Sequence, residues 1–282
     1  MWIRVVLALA TVVLVATGLT AAAPREPAAS GVPRFDHIVL VMFENRAYAQ
    51  IRGAADAPYL NALADQGATF TRSYAITHPS QPNYIALFSG STQGVTSNDC
   101  PQRFTGPNLH AQLAGAGLTF TGYSESMPAD GYTGCVSGTY QRKHNSWANF
   151  SSVTATSNRT FASFPSPADF ASLPTVAFVT PDMCNDMHDC PVGTGDSWLR
   201  TNLDAYARWA KTHNSLLIVT FDEDNHLAVN QIFTVFAGAR VEPGSYPGKI
   251  NHYSVLRTIE AAYGLPGLNA AANLSPITDI WT

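Results

Sequence analysis

The chain has 282 residues, 46% of them hydrophobic, with 16 basic and 20 acidic side chains and a net charge of −4. That is enough apolar material for one sizeable core at the upper end of single-domain size. With no basic run and no basic patch interleaved with aromatics, electrostatic capture of nucleic acid is excluded as a mode of action. Any anionic partner must be held by local chemistry.

Arg4 followed by the apolar run Val5 to Leu19 and the small residues Thr20-Ala21-Ala22-Ala23 predicts a signal sequence over residues 1–23 and an exported, extracellular protein. A membrane anchor is the competing reading, but the run is short for a bilayer and lacks a charged stop. Residues 24–33 mix Pro, Ala, Ser and Gly without periodicity and read as a tether. Residues 34–282 then form a single domain, with folding expected to begin near Phe35.

Strands are expected at His37 to Phe43, Ala68 to Ala75, Leu118 to Tyr123, Thr175 to Thr180, Leu216 to Phe221 and Ile232 to Ala237. Helices are expected at Pro58 to Gly67, Asn83 to Phe88, Leu109 to Gly115, Ser197 to His213 and Tyr253 to Tyr263. This alternation predicts an α/β fold with a mostly parallel central sheet and helices on both faces. Ser124 to Pro174, rich in Gly, Ser, Thr, Asn and Pro, reads as loops or a cap. In an exported chain the four cysteines suggest disulfides, and their spacing favours Cys100 to Cys135 and Cys184 to Cys190. A zinc site is the alternative, although no CxxC pair is present. The sequons at Asn149, Asn158 and Asn273 are glycan acceptors only in a eukaryotic secretory pathway.

In parallel sheets ligands bind beyond the carboxyl ends of the strands, so the polar residues there are the first candidates for chemistry. Asp222, Glu223 and Asp224 follow one strand; three adjacent carboxylates at a buried strand end repel one another unless a cation sits among them. A solvated acidic turn is the plain alternative. Glu44 and the neutral oxygen of Asn45 follow the first strand and add hard ligands, suiting one divalent cation of the Mg, Mn, Ca or Zn group. Ser80, between Pro79 and Pro82 and just before a helix, stands where backbone N–H groups would receive phosphate. A lone Ser there is usually an N-cap, but beside a cation its hydroxyl becomes a nucleophile able to form a phosphoseryl intermediate. His188 and His252 offer imidazoles for proton transfer, with the alternative that His252 caps the last helix. A Cys184 to Cys190 bridge would fix the direction of Asp186 and His188. Lys143, His144, Asn83 and Asn98 are candidate phosphate or substrate contacts; Asn83 could instead serve the first turn of its helix.

Five segments, Phe43-Glu44-Asn45-Arg46, Thr77 to Tyr84, Asn185 to Asp189, Phe221 to Asp224 and His252 to Leu256, together resemble the phosphoesterase family that holds bacterial acid phosphatases and phospholipases C, within the alkaline-phosphatase-like superfamily. The likeness extends through Arg142-Lys143-His144 and Pro276 to Trp281 to secreted members that dephosphorylate phosphatidylinositol 3-phosphate. The resemblance implies an alkaline-phosphatase-like fold and a secreted, metal-dependent acid phosphatase. It implies Ser80 as nucleophile, Glu44, Asn45, Asp222, Glu223 and the Ser80 oxygen around the metal, and His188 and His252 at the leaving group. The sequence departs from the family where Asn225-His226 and Asn230-Gln231 replace Asp-Gly and a later Asp-His, which counts against a second metal. The substrate implied is a phosphomonoester or phosphoinositide, with membrane contact only through lipid substrate. A phospholipase C-like phosphodiesterase and a non-catalytic protein that holds a cation or phosphate are the competing functions.

Overall fold

The computed structural model describes residues 1–2 and 31–282. Nearly all of the expected signal sequence, and the tether as far as residue 30, lie outside the described residues. No helix among the described residues is long and apolar enough to cross a membrane. Val32 is already buried in the core, so packing begins just ahead of Phe35.

Along the chain, β1 (His37–Phe43), α1 (Tyr48–Ile51), α2 (Pro58–Gln66), β2 (Ala68–Tyr74), α3 (Ser80–Ser89) and α4 (Leu109–Gly115) come first. They are followed by β3 (Phe120–Ser124), β4 (Val136–Ser137), β5 (Tyr140–Gln141), β6 (Asn158–Thr160), β7 (Val176–Thr180) and α5 (Val192–Ala210). The described chain ends with β8 (Ser215–Phe221), β9 (Thr234–Gly238), β10 (Gly244–Asn251) and α6 (His252–Ala262).

The central eight-stranded sheet has the order β10-β2-β9-β8-β1-β7-β3-β6. β9 runs antiparallel to both neighbours, and every other pairing is parallel. The strand period of two sends alternate β1 side chains to opposite faces. Ile38, Leu40 and Met42 pack with Ile85 and Phe88 of α3 and Val255 and Ile259 of α6. Val39, Val41 and Phe43 pack with Leu60 and Leu63 of α2 and Leu199 and Leu203 of α5. The sheet is therefore covered on both faces, as the near-continuous apolar run of β1 requires.

Four differences from expectation have local causes. α3 begins at Ser80, three residues early, because Asn98 Oδ1 takes the Gln81 N–H at 2.9 Å and Pro82 is tolerated in the first turn. α5 begins at Val192, directly after Cys190 and Pro191, rather than at Ser197. β10 was not expected: it is a largely exposed edge strand containing Pro247 and two glycines, so it carries no apolar run. The segment 124–174 does hold a small hairpin and several single turns, but its β6 also extends the central sheet beside β3.

Both expected disulfides are present, with Cα separations of 5.8 Å for Cys100–Cys135 and 4.7 Å for Cys184–Cys190. Two of the sequon residues, Asn149 and Asn158, are buried, and the Asn158 amide oxygen accepts from Asn145 and Trp147.

At Gly122 in β3 an added Cβ would lie on the indole of Trp147, itself almost fully buried. Gly122→Ala is expected to destabilise the fold by about 1–3 kcal/mol through overpacking. Urea unfolding checks this, and an unchanged midpoint would contradict the packing described.

Candidate active site

Parallel pairing of β1 with β8 sets Phe43 opposite Phe221, so the residues that follow them, Glu44-Asn45 and Asp222-Glu223, emerge side by side. The Asp222 N–H donates to the Phe43 carbonyl at 2.9 Å, and the Asn45 N–H donates to Asp222 Oδ1 at 3.0 Å. Asn45 holds a left-handed φ of 48°, a conformation asparagine tolerates better than most residues. Ser80, at the start of α3, donates its hydroxyl to Glu44 Oε2 at 2.9 Å and approaches Glu223 Oε1 at 3.3 Å. Glu44, Ser80, Asp222 and Glu223 are all at least 98% covered.

The charges here are not balanced by cationic side chains alone. Burial, then the neighbouring Glu44 and Glu223 carboxylates, pushes Asp222 well above the usual carboxylate range. Burial and Glu44 push Glu223 up in the same way. Burial also acts to raise Glu44, but the adjacent His144 imidazolium outweighs it and holds Glu44 low. Asn45 Oδ1 and Asp222 Oδ2 are buried without a hydrogen-bond partner. Orphaned oxygens of this kind cost free energy in the interior. A hard divalent cation would satisfy them, and this donor set of carboxylate and amide oxygens fits Mg, Ca or Mn and admits Zn.

His144 is enclosed rather than presented to substrate. Its Nδ1 lies 3.0 Å from Asp186 Oδ2, and its Nε2 forms an ion pair with Glu44 Oε1 at 2.9 Å. Burial disfavours its charge, but Glu44 and Asp186 together raise it to about 9. Burial in turn raises Asp186, whose other oxygen accepts the His188 N–H at 2.8 Å. Asp186 therefore reaches Glu44 only through His144. The ring of Tyr84 stacks on His144 at 5.2 Å.

His188 stands at the rim, with Nδ1 2.6 Å from Asp189 Oδ1 and Nε2 3.2 Å from Lys143 Nζ. Lys143 also acts electrostatically on Glu44 and Glu223. The Cys184–Cys190 loop is held against β1: Arg46 Nη2 donates to the carbonyls of Met187 and Cys190 at 2.6 and 3.2 Å, and the Glu44 N–H donates to the Asp186 carbonyl at 2.8 Å.

Two expected substrate contacts have local work. Asn83 accepts the N–H groups of Ile76 and Thr77, each at 3.0 Å, and donates to the Thr77 carbonyl at 2.8 Å, which shapes the turn before Ser80, while the same amide nitrogen lies 3.4 Å from Glu223 Oε2. Asn98 gives its oxygen to the first turn of α3 while staying exposed. His252 heads α6, but Asn251 supplies the cap; His252 donates through Nε2 to the Asp222 carbonyl at 2.7 Å.

Sequence reasoning assigned no role to His78, His226 or Tyr84. His78 Nδ1 lies 2.8 Å from Glu223 Oε2, and the His78 and His226 rings stack at 3.9 Å. Glu223, His78 and His226 thus form a second group of metal-competent donors, as do Glu44, His144 and Asp186. A histidine two residues before the candidate nucleophile was the available signal for His78; nothing local marked His226.

The solved structures most similar in shape share the fold at low identity. They include a protein of the alkaline phosphatase superfamily from Vibrio parahaemolyticus (TM-score 0.59, 14% identity, 85% of this chain and 69% of that one). Another is murine ectonucleotide pyrophosphatase/phosphodiesterase 5 (TM-score 0.59, 10% identity, 88% and 100%). At these identities the likeness shows a shared fold. Residues 53–266 match the Phosphoesterase family. A phosphatidylinositol-3-phosphatase of Mycobacterium tuberculosis is 50% identical over 99% of this chain and 95% of its own length. An acid phosphatase of Aspergillus fumigatus is 33% identical over 83% of this chain, which spans 56% of that longer protein. The chain belongs to the Phosphoesterase family.

Burial lowers His252 to about 4 against a usual value near 6.5, so its ring stays neutral across the physiological range. Because the unfolded ring takes up a proton first, this group's share of stability is lost as pH falls from about 6.5 towards 4. NMR titration of His252 is expected to show no protonation between pH 5 and 8; a midpoint near 6.5 would refute the enclosed, neutral ring.

Proposed function

We propose that the protein is an exported, metal-dependent acid phosphatase that hydrolyses phosphomonoesters, phosphatidylinositol 3-phosphate among them, through a phosphoserine at Ser80. The observation that carries this reading is the buried Ser80 hydroxyl bonded to the Glu44 carboxylate and set beside the orphaned oxygens of Asn45 and Asp222. Substrate choice rests on the 50% identity with a phosphatidylinositol-3-phosphatase across nearly the whole chain. Export rests on the signal-like start of the sequence and on the two disulfides.

One divalent cation would be held by Glu44, Asn45, Asp222, Glu223 and the Ser80 oxygen. Bound there, it would lower the pKa of the serine hydroxyl and neutralise phosphate oxygens. Ser80 Oγ attacks phosphorus as the ester P–O bond breaks, and water then attacks the phosphoserine to release phosphate and restore Ser80. Lys143 at the rim offers positive charge to the incoming phosphate, and His188 beside it transfers the proton to the leaving oxygen. His144, held by Asp186, keeps Glu44 ionised and aimed at Ser80. His252, being neutral and turned to the Asp222 carbonyl, positions the acidic strand end rather than donating a proton.

Ser80→Ala is expected to lower turnover of a chromogenic phosphomonoester by about 10³-fold or more. Chelation should silence the wild type, and added divalent cation should restore it. Activity retained in the variant sinks the nucleophile assignment, while faster turnover of phosphatidylcholine than of the monoester would favour a phosphodiesterase.

A further inference from the structure

Away from Ser80, a cavity of about 340 Å³ is lined by Arg103, Phe104, Arg142, Asn149, Phe150 and Val153 among others. That size lies within the range of small-ligand pockets and exceeds what a lone phosphate fills. Its electrostatics are one-sided. Arg142 is 3% exposed, yet its terminal nitrogens donate only to neutral backbone carbonyls, those of Thr133, Gln102 and Ala148. The Arg142 Nε has no partner, and neither does the buried amide nitrogen of Asn149, which is 4% exposed. Arg103, on the same cavity, is close enough for the two guanidinium groups to repel. Among the described residues neither arginine has an ion-pair partner.

An arginine this deeply covered is normally paired with an anion, because an uncompensated buried charge is expensive. Here the side chains of Arg103 and Arg142 line one space with no acidic residue among its walls, and Phe104, Phe150 and Val153 make those walls apolar. The walls are also stapled: Cys100–Cys135 ties the segment carrying Arg103 to that carrying Thr133, and the Arg142 N–H donates to the Cys135 carbonyl at 2.9 Å. The site therefore costs little ordering on binding. Guanidinium groups bind phosphate-type oxyanions through directed hydrogen bonds.

We infer that this cavity is an accessory binding site for a phosphate-class oxyanion, distinct from the Ser80 centre and sharing no residue with it. Arg103 and Arg142 supply the positive charge, and the aromatic wall accepts an apolar group attached to the anion. The cavity backs onto the turn Arg142–His144, whose next two residues are Lys143 and His144, so an anion bound here stiffens the backbone that carries them. The inference does not depend on catalysis at Ser80.

Calorimetric titration of the full chain with two probes tests it: inorganic phosphate, and phenylphosphonate, which carries an apolar ring and is not a phosphoester. The wild type should show a second class of site for at least one probe. In Arg103→Gln, an exposed and therefore structurally tolerant change, that class should weaken about tenfold, the loss of one charge-assisted hydrogen bond, while binding at Ser80 stays the same. Arg142→Lys should weaken it further, with unfolding curves confirming that the variant is folded. A response to both probes points to free phosphate as a sufficient ligand; a response to phenylphosphonate alone points to an organic phosphate. A single class of site for both probes, or a second class indifferent to Arg103→Gln, overturns the inference.

Discussion

The register between β1 and β8 is the constraint on which the site depends. Once Phe43 and Phe221 lie opposite each other, Glu44, Asn45, Asp222 and Glu223 must converge at the carboxyl edge of the sheet. Burial first, and the repulsion of like charges after it, push the Asp222 and Glu223 carboxyl groups upward, and Asn45 Oδ1 and Asp222 Oδ2 are left without donors. Parallel strands supply no side-chain cation to settle this, since their apolar runs face the helices.

The rest of the site is built to hold that edge still. Asp186 and Tyr84 fix His144, His144 sets Glu44, and Arg46 fastens the disulfide loop that carries Asp186. Asn83 shapes the turn that delivers Ser80, and His252 ties the head of α6 to Asp222. Asn83 and His144, expected as substrate contacts, are engaged by their surroundings in this structure. Lys143 and His188 on one side, and His78 and His226 against Glu223 on the other, reach solvent at the rim beside the covered core of the site.

Much of this arrangement was legible in the sequence because local rules govern it. An apolar run ending in acids gave the strand ends, a serine before a helix gave Ser80, and close cysteine spacing gave the small disulfide loop. What was hidden depends on distant pairing. Whether His144 faces solvent or Glu44 is decided by a segment with no period of its own, and the amide of Asn83 looks the same whether it meets phosphate or a turn. β10 was invisible because an exposed edge strand with proline and glycine has no apolar signature. That Arg142 has no ion-pair partner among the described residues could be seen only in three dimensions.

The most direct measurement of the central claim is divalent-cation binding to chelator-stripped protein, compared between the wild type and Asp222→Asn. The arrangement predicts one cation per chain at the Ser80 edge, with affinity lost by about tenfold or more when one charged ligand oxygen is removed. Absence of binding in the wild type, or binding that Asp222→Asn leaves unchanged, would contradict a cation site at the converging ends of β1 and β8.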